Sequence, residues 1–103
     1  MTINIQFERV PFNEVLTEYV IKKLNSLGDR YRVYKAQVLF KKDLALAGKG
    51  KICEIKVQLY GKGIVASASG SSYEKALLET TVNIEKQLKS KPLTHTRVLA
   101  IGA

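Results

Sequence analysis

Few residues in this chain of 103 could do acid–base, nucleophilic or metal chemistry. There is one histidine (His95) and one cysteine (Cys53), and the nine Asp and Glu are scattered. His95 lies in a C-terminal stretch without periodicity, and a lone imidazole of that kind reads as solvated surface. Cys53 falls on the apolar phase of an alternating run, where a thiol without a nearby base is a small, inert hydrophobe. One cysteine gives neither a disulfide nor a cysteine-based zinc site within a single chain. Gly48-Lys49-Gly50-Lys51 lacks both the wider glycine spacing and the Ser or Thr after the lysine that a phosphate-binding P-loop needs, so it reads as a basic turn. No metal-ligand spacing occurs. These residues point to no enzyme, no cofactor and no small-molecule substrate.

The cations carry more information. Lys and Arg number 17 against 9 Asp and Glu, a formal net charge of +8. A domain this basic calls for an anionic partner, with nucleic acid or an acidic membrane as the leading classes. No apolar run approaches the length of a membrane span, and the opening MTINIQFERV alternates in polarity, unlike a signal peptide. The cations fall into three groups: Lys22, Lys23, Arg30 and Arg32; Lys86, Lys89 and Lys91; and Lys41, Lys42, Lys49 and Lys51. The first two sit at or beyond the ends of two expected helices. Side by side, those helices would form one footprint for phosphates.

The elements that must position these groups follow from periodicity. Ile3, Ile5 and Phe7 alternate with polar residues, as do Tyr34, Ala36, Val38 and Phe40, and then Cys53, Ile55, Val57 and Leu59. Each run is a strand with one buried face. A tight turn at Gly61-Lys62-Gly63 leads into a fourth strand, Ile64 to Ser69. Leu16, Val20, Leu24 and Leu27 form a helical stripe, capped by Asn13 and expected to stop at Gly28. Glu18 stands four residues before Lys22, a favourable pair. Leu77, Thr81, Ile84 and Leu88 mark a second helix. Ser71 and Glu74 give it a capping-box spacing, and Pro92 should end it.

The order β-α-β-β-β-α predicts an α/β two-layer sandwich. Its first two strands are parallel neighbours, the rest form a meander, and both helices cover one face of a four-stranded sheet. The other face is wet. Residues 1–91 form the domain, and 92–103 are expected as a flexible tail. A sheet that stacks single-stranded RNA needs exposed aromatics on its central strands. Only Tyr60, at a strand end, qualifies; Tyr19, Tyr34 and Tyr73 read as packing or rim residues. The partner surface is therefore expected to bind RNA shape and backbone.

Several strings, in order, resemble the ribosome hibernation-promoting factor family, also called ribosome-associated inhibitors or sigma-54 modulation proteins. They are Ile3-Asn4-Ile5; Leu16-Thr17-Glu18-Tyr19-Val20 with Lys23 and Leu27; Ile64-Val65-Ala66-Ser67-Ala68-Ser69-Gly70; Tyr73, Ala76 and Leu77; and Glu85-Lys86-Gln87-Leu88-Lys89-Ser90-Lys91. The resemblance implies a fold akin to the double-stranded RNA-binding domain. It implies a cytoplasmic, non-enzymatic factor on the small ribosomal subunit, bound to its ribosomal RNA. There it would occupy the messenger and transfer RNA channel in starved or stationary cells. Carried over by position, the RNA-facing residues are Lys22, Lys23, Lys86, Lys89 and Lys91, with Arg30 and Arg32 as looser matches. The family often has acidic residues around the start of helix two where this chain has Ser72 and Leu77-Leu78. Ending at Ala103, the chain resembles the short form of the family. A stand-alone double-stranded RNA module and a protein-interaction module are the alternative readings.

Overall fold

The computed structural model describes residues 1–45, 48 and 50–102, with side chains as far as Lys89. The elements are β1 (Thr2–Phe7), α1 (Glu14–Tyr31), β2 (Lys35–Lys42), β3 (Lys51–Leu59), β4 (Lys62–Gly70) and α2 (Tyr73–Gly102). The sheet order is β1-β2-β3-β4, with β1 parallel to β2 and the other pairs antiparallel. This is the expected β-α-β-β-β-α sandwich. Among the described residues no helix is long and apolar enough to cross a membrane.

Register explains the two faces. Ala36, Val38 and Phe40 stand opposite Val57, Ile55 and Cys53, and all six are buried beneath the helices. Their neighbours Lys35, Gln37 and Lys41 face the other way, because successive strand side chains point to opposite sides. Leu16, Val20, Leu24 and Leu27 of α1 close the core together with Ala76, Leu77, Ile84 and Leu88 of α2. Phe40 is central: Phe7 stacks on it at 5.0 Å and Tyr73 meets it edge-on at 5.9 Å. Thr80, also buried, places its hydroxyl 2.7 Å from the Ala76 carbonyl and 3.2 Å from that of Cys53, so its own oxygen is hydrogen-bonded.

Five local expectations need correction. α1 does not stop at Gly28. It runs to Tyr31, and Arg32 takes the left-handed cap at φ 59°, its N–H donating to the Gly28 carbonyl. Half-buried Tyr31 and buried Val33 draw the chain onward into the core. A Cβ at Gly28 would lie 2.6 Å from the Met1 methyl, the far end of a flexible side chain. Ser72, not Ser71, caps α2, its hydroxyl accepting from the Lys75 N–H at 3.2 Å. That shift undoes the capping box, although Glu74 stays in the first turn. The β3–β4 turn is Tyr60-Gly61, with Gly61 at φ +78°, one residue earlier than expected. Tyr34 precedes β2 and is 48% exposed, because the buried phase begins only at Ala36. Finally, α2 passes Pro92 and continues to Gly102. Proline's fixed φ suits a helix, so only its missing N–H and a local clash with the preceding turn oppose continuation.

Candidate nucleic-acid interface

The packing of α1 and α2 determines which cations meet. Both helices follow strands running in the same sense, β1 and β4, so they lie roughly parallel over the sheet. Lys23 and Arg30, two turns apart on α1, sit on the flank of its buried stripe. Glu85 occupies the corresponding flank of α2. The Arg30 guanidinium donates to Glu85 Oε2 at 2.6 Å, and Lys23 Nζ lies 3.5 Å from Oε1. Lys89, one turn further along α2, places its Nζ 3.6 Å from Oε2. Three cations thus surround one carboxylate and leave a net positive cluster.

The cluster is not sequestered. The Arg30 and Lys89 side chains are 53% and 62% exposed, while Glu85 beneath them is 20% exposed. The hydrogen bond from Arg30 holds the Glu85 carboxyl below its ordinary range, and the charges of Lys23 and Lys89 add to this against the opposing effect of burial. Lys22 and Lys86 are exposed and each follows or precedes a cluster residue in sequence, so they stand about 100° around their helices from it. The Glu18–Lys22 pair expected from spacing does not close within ion-pair distance, and Lys22 is exposed with no ion-pair partner among the described residues. Arg32 is exposed at the α1 cap. The Lys91 side chain, like that of His95, lies outside the described residues.

The third cationic group stays apart. Lys41 Nζ pairs with Glu54 at 3.1 Å on the open sheet face, and Lys51 Nζ lies 5.9 Å above the Tyr73 ring. Tyr73 begins α2, and twelve residues of helix put it ~18 Å from Glu85. Lys49 lies outside the described residues.

One feature of the surface escaped the strand pattern. Tyr34 and Tyr60 pair across the end of the sheet, with ring centroids 5.6 Å apart and planes inclined by 42°. Tyr60 is 91% exposed. Their positions at strand ends were the available signal; that they meet depends on the β2–β3 register.

Burial pushes the Cys53 thiol up to about 12. Among the described residues no three His, Cys, Asp or Glu side chains gather around a point. What the α1–α2 ridge offers is a net positive surface open to solvent.

The family model described as sigma 54 modulation protein / S30EA ribosomal protein matches residues 3–91. A ribosomal subunit interface protein from Coxiella burnetii has a similar fold, with a TM-score of 0.78 at 24% sequence identity. That likeness covers 90% of this chain and 99% of the other. The N-terminal domain of Protein Y from Thermus thermophilus is similar at a TM-score of 0.71 and 27% identity, covering 86% and 97% respectively. No curated protein matches the sequence.

Proposed function

The chain belongs to the sigma 54 modulation protein / S30EA ribosomal protein family, and from that membership we propose that it is a ribosome-associated translation inhibitor. It docks on the small ribosomal subunit through ribosomal RNA and occupies the channel used by messenger and transfer RNA. Ribosomes so occupied are held inactive in stationary phase or under stress, in the cytoplasm. The mechanism is steric: no bond is made or broken, and no cofactor takes part.

The observation that carries the mode of docking is the convergence of Lys23, Arg30 and Lys89 on Glu85, with Lys22, Arg32 and Lys86 exposed around it. One carboxylate does not neutralise three cations at close range, so the ridge keeps a positive potential toward solvent. Its helices are fixed to each other and to the sheet, which suits recognition of RNA shape and backbone.

The test is co-sedimentation with small subunits. Reversing Lys86 and Lys89 to Glu should leave the fold intact, since both side chains are exposed, and should greatly weaken binding. Unchanged co-sedimentation of the folded variant would remove these residues from the interface. Equal binding to a naked RNA duplex in competition would favour a general double-stranded RNA module instead.

A further inference from the structure

The outer edge of β4 is open. β3 and β4 meet through a two-residue turn, so Leu59 and Lys62 face each other as a hydrogen-bonded pair, and such pairs recur at every second residue. Lys62, Ile64, Ala66 and Ala68 therefore direct their N–H and C=O groups at β3. Gly63, Val65, Ser67 and Ser69 turn theirs outward, where no further strand lies among the described residues. Gln87 of α2 agrees with this phase, because its Nε2 donates to the Val65 carbonyl at 3.3 Å. Among the described residues no side chain but that of Gln87 reaches the outward groups. A strand with bare donors and acceptors is a template for another strand, and proteins commonly defend such an edge with charge, proline or a bulge. β4 has none of these beyond Lys62. Gly63 to Gly70 carry no charge and no proline, and they pair with β3 without interruption.

The occupant that fits this edge is a second copy of the chain. At a net charge of +8, most of the surface repels a copy. The β4 side does so least. Gln87 identifies the flank of α2 that lies over the edge, and Asn83 and Glu79 stand one and two turns before it on that flank. Lys75, Lys86 and Lys89 stand ~100° or more around the helix from Gln87. In the sheet, Lys62 begins the strand and Lys56 lies one strand in, opposite Val65. β4 is also its own complement. Paired antiparallel about Ala66 of each chain, Val65 faces Ser67 and Gly63 faces Ser69, so the outward groups meet as hydrogen-bonded pairs. Lys62 then stands opposite Gly70 of the other copy, and no like charges meet. The two β3 strands, with their Lys56 side chains, are three strand spacings apart, ~14 Å, beyond the ~8 Å screening length at physiological salt.

We propose that β4 is a self-association edge, through which two copies join antiparallel about a two-fold axis and extend the four-stranded sheet of each into one. The cationic ridge lies on the opposite flank of α2 from this junction, so the pairing does not rest on ribosome docking. The test is sedimentation equilibrium of the full chain over a wide concentration range, with amide hydrogen exchange followed by NMR. The mass should rise from one chain towards two. The N–H groups of Val65, Ser67 and Ser69 should exchange more slowly as concentration rises. Ser67→Lys places a charge on the exposed edge and should weaken association roughly tenfold. Ser67→Pro removes one outward N–H and no bond to β3, and should weaken it as well. Ser67→Thr should retain it. A single chain at every concentration, unprotected amides at Val65, Ser67 and Ser69, or undiminished association of folded Ser67→Lys would each overturn the pairing. Lys86→Glu/Lys89→Glu should associate like the parent chain, so failure here and failure of ribosome docking are read separately.

Discussion

Glu85 pairs with Lys23 and Arg30 across the two helices, and on the proposed function it would compete with a phosphate approaching the ridge. Arg30 at 2.6 Å is its strongest partner, and the lowered carboxyl pKa reflects that bond first. A carboxylate with a depressed folded-state pKa stabilises fully above its ordinary value of 4.5, and that stabilisation is lost as pH falls through the lower folded value. Because Arg30 and Lys89 are more than half exposed, the effect is modest, about 1 kcal/mol or less. Glu85→Gln should therefore be slightly less stable at pH 7 in chemical denaturation, and should lose less stability than the parent chain on going to pH 3. Freed of their counter-charge, the three cations should hold small subunits severalfold more tightly at low salt. Weaker co-sedimentation of Glu85→Gln would mean that the carboxylate arranges the cations and does not oppose the RNA.

At the scale of elements, both helices depart from local rules for tertiary reasons. α1 crosses a glycine because Tyr31 and Val33 pack onto the core beyond it, leaving Arg32 as the residue that bears the left-handed cap. Gly28 consequently sits in a helix interior, where glycine is unfavourable by roughly 0.5–1 kcal/mol relative to alanine. The obstacle to a methyl group is the tip of the Met1 side chain, at 2.6 Å, which is flexible. Gly28→Ala should raise the thermal midpoint by a few degrees, corresponding to a gain of up to about 1 kcal/mol. A fall in the midpoint would show that Met1 is fixed over α1 more firmly than its unbranched side chain suggests.

For the whole molecule, the question is how a net charge of +8 is distributed. The α1–α2 ridge, the open sheet face and the β2–β3 loop end hold separate shares of it. If the ridge contacts phosphates, the logarithm of affinity for small subunits should fall linearly with the logarithm of salt. The slope should then drop by about two when Lys86 and Lys89 are reversed, one for each lost phosphate contact. A slope unchanged by the double reversal, alongside weakened binding, would indicate that the variant lost shape and not charge contacts. The family match over residues 3–91 spans the sheet, α1 and the part of α2 that bears these lysines.

Alternation and helical spacing were sufficient for the element order, the buried faces of β2 and β3, and the stripes of α1 and α2. Each of those signals is local, reporting which residues of one element share a face with the core. The cationic composition was equally legible. Three things were decided only by tertiary packing: that Lys23 and Arg30 meet a carboxylate 62 and 55 residues away, that Tyr34 and Tyr60 become one aromatic pair, and that α1 outruns its glycine. Strand register and helix flank set these contacts between distant parts of the chain, and periodicity within one element carries no information about its neighbour's phase.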